Sequence, residues 1–263
     1  MDDFDLDEVS LEQMLLAEGE PSAATLARLS EGLVLVPHPN LKGYPRVDVA
    51  AGAPPTRAQL TGLSLLVLDE LPTSDRRAWE RLKRQPWFRA YVILGDLFHG
   101  QDHALLRDQP PALIGLMVDA LIEGALVDPT ANHIESATGP VWTAFFRCDL
   151  PAGSVFTRLW RLAEESHSIS GYDSGSESIV IQDLVSRAPD AATAWDWRLR
   201  HALMSWAGAP SEAARTQRLR EVLSAAEAAG VDVGPSAEAC EAILYDHQRL
   251  PRSVGALDAW ESP

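Results

Sequence analysis

A sixteen-residue run, Ala112 to Val127 (ALIGLMVDALIEGALV), constrains this chain more than any other stretch. Pro110 and Pro111 stand immediately before it, where a first helical turn tolerates a residue with a fixed φ and no N–H. Asp119 and Glu123 lie four residues apart and share one narrow stripe of a helix, while the rest of the circumference is apolar. Such a helix belongs deep in a core. Its two carboxylates make it fall short of a membrane span. With 263 residues, the chain is long enough to bury it.

The other apolar runs are shorter and read as strands. Leu33 to Val36, Leu63 to Leu68 (LSLLVL), Ala90 to Leu94 (AYVIL), Val141 to Cys148 (VWTAFFRC) and Ser178 to Ile181 (SIVI) predict five of them. Helices are expected between them, capped at Ser22, at Thr73 or Ser74, and at Ser154, the middle one stopped by Pro86. Residues 37–56, with five prolines and two glycines, read as a long surface loop. After Leu184 the pattern changes to three helices, Asp190 to Trp206, Ser211 to Ala229 and Ser236 to Leu244. The expected fold is therefore α+β or α/β, with roughly five short strands interleaved with helices and an all-helical C-terminal part. Residues 1–20 form an acidic arm and the start of a first helix, 21–184 a mixed core domain, and 185–263 a helical appendage.

Charge is unevenly placed. The net charge is −16, and the first 20 residues hold eight acids and no Lys or Arg. An acidic balance argues against a general nucleic-acid coat or a binder of anionic membranes. The opening MDDFDLDEVSLEQ lacks the basic and apolar stretches of a targeting peptide, and two cysteines cannot build a disulfide framework. The expected compartment is the cytoplasm. Twenty of the 22 basic residues are Arg, a bias that points to a GC-rich bacterial genome.

Standard catalytic signatures are missing. There is no GxxxxGK[ST] loop, GxGxxG, CxxC or HExxH, and GYDSG places Ser174 one position away from a nucleophile elbow. The acidic start imitates a calcium loop but puts Glu8 where glycine is needed. One candidate metal cluster is FHGQDH. His99 and His103, four apart, could share a helix face with Asp102 nearby, and His133 or Glu135 could add a third ligand. Gly100 disfavours the helix this requires. Solvated histidines on a polar loop are the simpler reading.

Three other features bear on recognition. RRAWERLKRQPWFR, residues 76–89, gathers Arg76, Arg77, Arg81, Lys83 and Arg84 beside Trp87, a basic patch on an acidic chain. It suits an acidic partner, the arm Asp2 to Glu8 included, or serves only as a solvated helix face. The serine-rich segment SHSISGYDSGSES carries one large apolar residue, Tyr172, and reads as a surface loop or a recognition loop. Trp195 and Trp197 point about 200° apart on a helix and cannot face one core together, while Trp260 must dock back or stay exposed.

These features favour a cytosolic protein-binding or regulatory protein of the inhibitor or immunity kind, with Arg76, Arg77, Arg81, Lys83, Arg84, Trp87 and Tyr172 as binding residues. Its partner is expected to be another protein, with room for a homo-oligomer, no membrane and no cofactor. The runner-up is a metal-assisted hydrolase that would need a divalent ion on His99, Asp102, His103 and His133. An acidic DNA mimic comes third, since the charge is concentrated in a short arm.

Overall fold

The computed structural model describes residues 22–37, 45–49, 51–69, 71, 85–99, 104–127, 131–166, 175–208, 213–244 and 248–261. Over these residues the chain is predominantly helical, and their one sheet is a two-stranded antiparallel pair. This overturns the expected α+β or α/β architecture: four of the five expected strands lie within helices. Two compact units divide the chain, Met1–Pro151 and Ala152–Pro263. The change of pattern read after residue 184 falls inside the second unit.

The N-terminal unit contains α1 (Ser22–Leu29), β1 (Leu35–Pro37), β2 (Pro45–Val47), α2 (Arg57–Asp69), α3 (Pro86–His99), α4 (Ala104–Arg107), α5 (Pro111–Leu126) and α6 (Ala131–Cys148). The run that dominates the sequence becomes α5, with Pro111 at its first position. Ile114, Met117, Val118 and Ala120 on it are fully enclosed, and α2, α3 and α6 pack around it. At Gly124 the packing is closest: a Cβ there would lie 2.5 Å from the Tyr91 ring of α3.

The strand expectations failed for a common reason. A short apolar run looks alike in a buried strand and in a helix enclosed on several sides. LSLLVL lies in α2, whose buried residues Leu60, Leu63 and Val67 continue the pattern at i, i+3 and i+7. AYVIL lies in α3, where Trp87, Ala90, Leu94 and Leu97 recur at helical spacing. VWTAFFRC lies in α6, which buries Ala137, Val141, Ala144, Phe145 and Cys148. SIVI lies in the helix Gly175–Ser186. The strand near Leu33 to Val36 does form, as β1, and pairs Leu35 with Val47. Its partner β2 comes from the stretch read only as loop.

The start of α2 is tightly specified. Thr56 Oγ1 accepts the Gln59 N–H at 3.2 Å, and Gln59 Oε1 accepts the Thr56 N–H at 2.9 Å, a reciprocal capping box. Gln59 Nε2 also donates to the carbonyls of Leu29 and Glu31, which ties the end of α1 to α2.

The C-terminal unit contains α7 (Ala152–Ser166), α8 (Gly175–Ser186), α9 (Ala191–Gly208), α10 (Ala213–Ala228), α11 (Gly234–Glu241) and α12 (Val254–Glu261). Helices α9, α10 and α11 fall where the sequence places them; α12 was not foreseen. Asp190 caps α9 by accepting the Thr193 N–H at 2.8 Å, and that bond holds its carboxyl below the usual range. Helix α9 is the hub, packed on α8, α10 and α11. Leu199, Leu203 and Trp206 from it meet Leu219 and Leu223 of α10 and Ala237 and Cys240 of α11 in one core. Asp196 joins α9 to α11 by accepting from Ser236 Oγ at 2.8 Å while pairing with Arg200.

The tryptophans divide as helical geometry requires. Trp197 is buried and stacks on Phe156 at 4.7 Å, whereas Trp195 sits partly buried under the Arg198 guanidinium. Trp260 does both things expected of it: its ring meets Trp206 edge-on at 4.9 Å yet stays 51% exposed.

Candidate ligand-binding site

A partly enclosed cavity of about 320 Å³ opens among α8, α9 and α10, entirely within the C-terminal unit. Consecutive helices line it with residues at helical spacing. Arg198, His201, Ala202 and Ser205 of α9 follow i, i+3, i+4 and i+7. Arg215, Arg218, Val222 and Ala225 of α10 follow i, i+3, i+7 and i+10, with Glu221 beside them. Helix α8 adds Ile181, Gln182 and Val185.

The two long helices run antiparallel. A Cβ on Gly208 would lie 3.7 Å from Arg215 Nη1, so the end of α9 meets the start of α10. The Arg215 guanidinium therefore stands by the end of α9. Val222 and Ala225 lie farther along α10, about 10 Å from Arg218 to Ala225 at 1.5 Å per residue. Arg198, exposed and over the Trp195 ring at 5.0 Å, stands toward that second end.

The electrostatics favour an anion. Three arginines, Arg198, Arg215 and Arg218, and one glutamate, Glu221, are among the residues lining the cavity, in a chain of net charge −16. Arg218 has no ion pair among the described residues. His201 is neutral at physiological pH: burial first, and the Arg218 charge second, lower its pKa from 6.5 to about 4. A neutral imidazole offers one donor and one acceptor. Ser205 Oγ is buried without a hydrogen-bond partner among the described residues.

The residues singled out from sequence do not meet here. Arg76, Arg77, Arg81, Lys83 and Arg84 lie outside the described residues, as do Tyr172, Asp102 and His103. Trp87 is 2% exposed and packs edge-on against Phe88 in the N-terminal unit, so its ring has no area left for docking. His99 closes α3 and His133 lies in the first turn of α6, with both side chains outside the described part. Among the described residues no three His, Cys, Asp or Glu side chains group as metal ligands.

Both cysteines are buried, and burial pushes the Cys148 thiol up to about 11 and that of Cys240 to about 12. Thiols held protonated in this way are poor nucleophiles. No described helix is long and apolar enough to cross a membrane. Comparison with protein-family models, with curated proteins and with solved structures finds no match to this chain.

Proposed function

We propose that this is a binding protein whose C-terminal unit takes up a small anionic ligand in the cavity among α8, α9 and α10. The observation that carries the reading is the presence of Arg198, Arg215 and Arg218 among the residues lining a 320 Å³ cavity in a strongly acidic chain. Hydrogen bonds to charged groups contribute about 1.5–3 kcal/mol each, and more where water is excluded, so two guanidiniums suffice for micromolar affinity once apolar contacts add to them. In the wider form of this reading the chain is a cytoplasmic regulatory protein, and a second protein senses whether the cavity is filled. The acidic composition supports that wider form.

A thermal-shift screen of small organic anions tests the proposal. A ligand present at a hundred times its Kd stabilises by about 2.7 kcal/mol, a readily visible rise in Tm. At least one anion should raise the Tm of the wild type and leave the Arg215→Gln, Arg218→Gln double variant unmoved. A wild type indifferent to every anion would end the proposal.

A further inference from the structure

We infer that the cavity among α8, α9 and α10 is the docking site of this chain's own acidic arm, residues Asp2 to Glu8, which competes there with any external anion. The inference rests on the anion-binding role proposed above and adds the regulation of that site.

Charge marks the place. The C-terminal unit holds sixteen acids against ten bases, yet three arginines and one glutamate are among the residues lining the cavity. Even without Arg215, which has an interaction of its own, Arg198 and Arg218 outnumber Glu221. Neither Arg198 nor Arg218 forms an ion pair among the described residues. They stand apart along the cavity. Arg218 lies close enough to His201 for its charge to act on the ring, and Arg198 precedes His201 by one turn of α9. The complement is the arm, since the first 20 residues hold eight acids and no Lys or Arg.

Apolar cover marks the same place. Ile181 and Val185 of α8 line the cavity, and that helix adds no charged side chain to the lining. The arm reads Asp3-Phe4-Asp5-Leu6-Asp7, acids alternating with apolar residues. An extended segment of that sequence carries its carboxylates about 7 Å apart on one side and Phe4 and Leu6 on the other. It can therefore meet the arginines of α9 and α10 while its apolar side covers α8. The cavity is only partly enclosed, so a segment longer than it can lie along it. The basic run Arg76 to Arg84 matches the arm in charge, but Trp87, which follows it, is buried and offers no ring surface to Phe4.

Attachment makes up for weak pairs. Exposed ion pairs are individually worth little. Fourteen residues separate Asp7 from Ser22, up to about 50 Å of chain. A tether that spans its distance holds a segment at an effective concentration of about 1 mM, so an arm with an intrinsic Kd of about 100 µM fills the site about ten to one.

Fluorescence anisotropy tests this with a labelled synthetic peptide of residues 2–8, DDFDLDE, at pH 7.5 and low salt. It is added to the full chain and to the Asp3→Asn, Asp5→Asn, Asp7→Asn triple variant. The triple variant, whose own arm no longer competes, should bind the peptide about tenfold more tightly than the wild type. Raising the salt should weaken that binding about tenfold. Arg198→Gln with Arg218→Gln, built into the triple variant, should abolish it and leave the circular dichroism spectrum unchanged.

Equal affinity of wild type and triple variant would overturn self-docking. A difference that grows with protein concentration would assign the arm to a second copy and overturn the tethered contact. Peptide binding that survives the loss of both arginines would overturn the docking site and point to the run Arg76 to Arg84. No peptide binding by the triple variant would overturn the inference, while the anion site falls only if the thermal-shift screen fails as well. Should the arginine variants fail to fold, the same peptide with a benzophenone at Phe4 is photo-crosslinked to the triple variant. Adducts within residues 181–225 would support the docking site, and adducts elsewhere would overturn it.

Discussion

Acid should destabilise the C-terminal unit through one side chain, His201. Its pKa is lowered from 6.5 to about 4, by burial first and by Arg218 second. In the unfolded chain the ring takes up a proton near pH 6.5, so between the two values the unfolded state binds more protons than the folded one. The stability tied to the neutral ring is therefore complete above about pH 6.5 and is lost progressively as pH falls toward 4. At 1.36 kcal/mol per unit of pKa, the shift caps the loss at about 3.4 kcal/mol, with about 2.5 kcal/mol gone by pH 4.5. The assay is urea denaturation at pH 7.5 and 4.5, followed by tryptophan fluorescence, for the wild type and His201→Gln. Trp160, Trp195, Trp197, Trp206 and Trp260 all report on this unit. Carboxylates titrate in both proteins and cancel in the difference between them. The wild type should lose about 2.5 kcal/mol more than the variant on acidification. Parallel losses would refute a buried neutral ring, and a smaller loss in the wild type would mean that an acid partner raises its pKa.

Three further outcomes test the packing. Gly124→Ala should destabilise the N-terminal unit by about 1–2 kcal/mol in urea denaturation, since overpacking against Tyr91 outweighs the better helix propensity; in a Tyr91→Ala background the cost should vanish. Gly230 ends α10 at φ +67° with the Val231 N–H on the Ala226 carbonyl at 2.9 Å, and a Cβ there would meet nothing within 4 Å. Gly230→Ala should thus cost about 1 kcal/mol from backbone strain alone, and Gly230→Asn less, by the same measurement. Glu241, 13% exposed, accepts the Leu250 N–H at 2.8 Å and pairs with Arg252 at 3.2 Å. Glu241→Ala should cost about 2 kcal/mol and Glu241→Gln about half of that, and amide exchange should quicken at Leu250 in the alanine variant.

What was legible in the sequence was whatever repeated long enough to show its period. The run that forms α5 is sixteen residues long, and the segments that form α9 and α10 span four turns or more, so each displays a face. The runs inside α2, α3 and α6 were read alone, in windows of eight residues or fewer, where the two periods cannot be separated. The deciding information lay just outside those windows. Leu60 three residues before Leu63 shows the helical period of α2, and Thr56 with Gln59 spells its capping box. In α6, Ala137 four residues before Val141 does the same work. Gly62 and Ser64 inside α2 carry no strand propensity, and Ser64 Oγ satisfies itself on the Leu60 carbonyl at 2.8 Å, a bond available only in a helix.

The cavity was hidden for a different reason. Its polar side chains are commonplace on each helix taken singly: Arg198, His201 and Ser205 read as one side of α9, and Arg215 and Arg218 as the solvated face of α10. Motif reading rewards residues that are close in sequence, which is why FHGQDH drew attention and these did not. A site assembled from several helices acquires meaning only when the antiparallel packing of α9 and α10 sets one stripe against the other. The burial that lowers the His201 pKa is a product of that packing, and so is the isolation of the Ser205 hydroxyl. Even so, one trace was present. His201 and Ser205 lie one residue from Ala202 and Trp206, both core residues, so a polar stripe borders the apolar one along α9 with no turn of helix between them. On an outer helix that border faces water, whereas on a helix packed on three others it must be satisfied by something. Helix α9 contacts α8, α10 and α11, and Arg198, His201 and Ser205 along its polar border are among the residues that line the cavity.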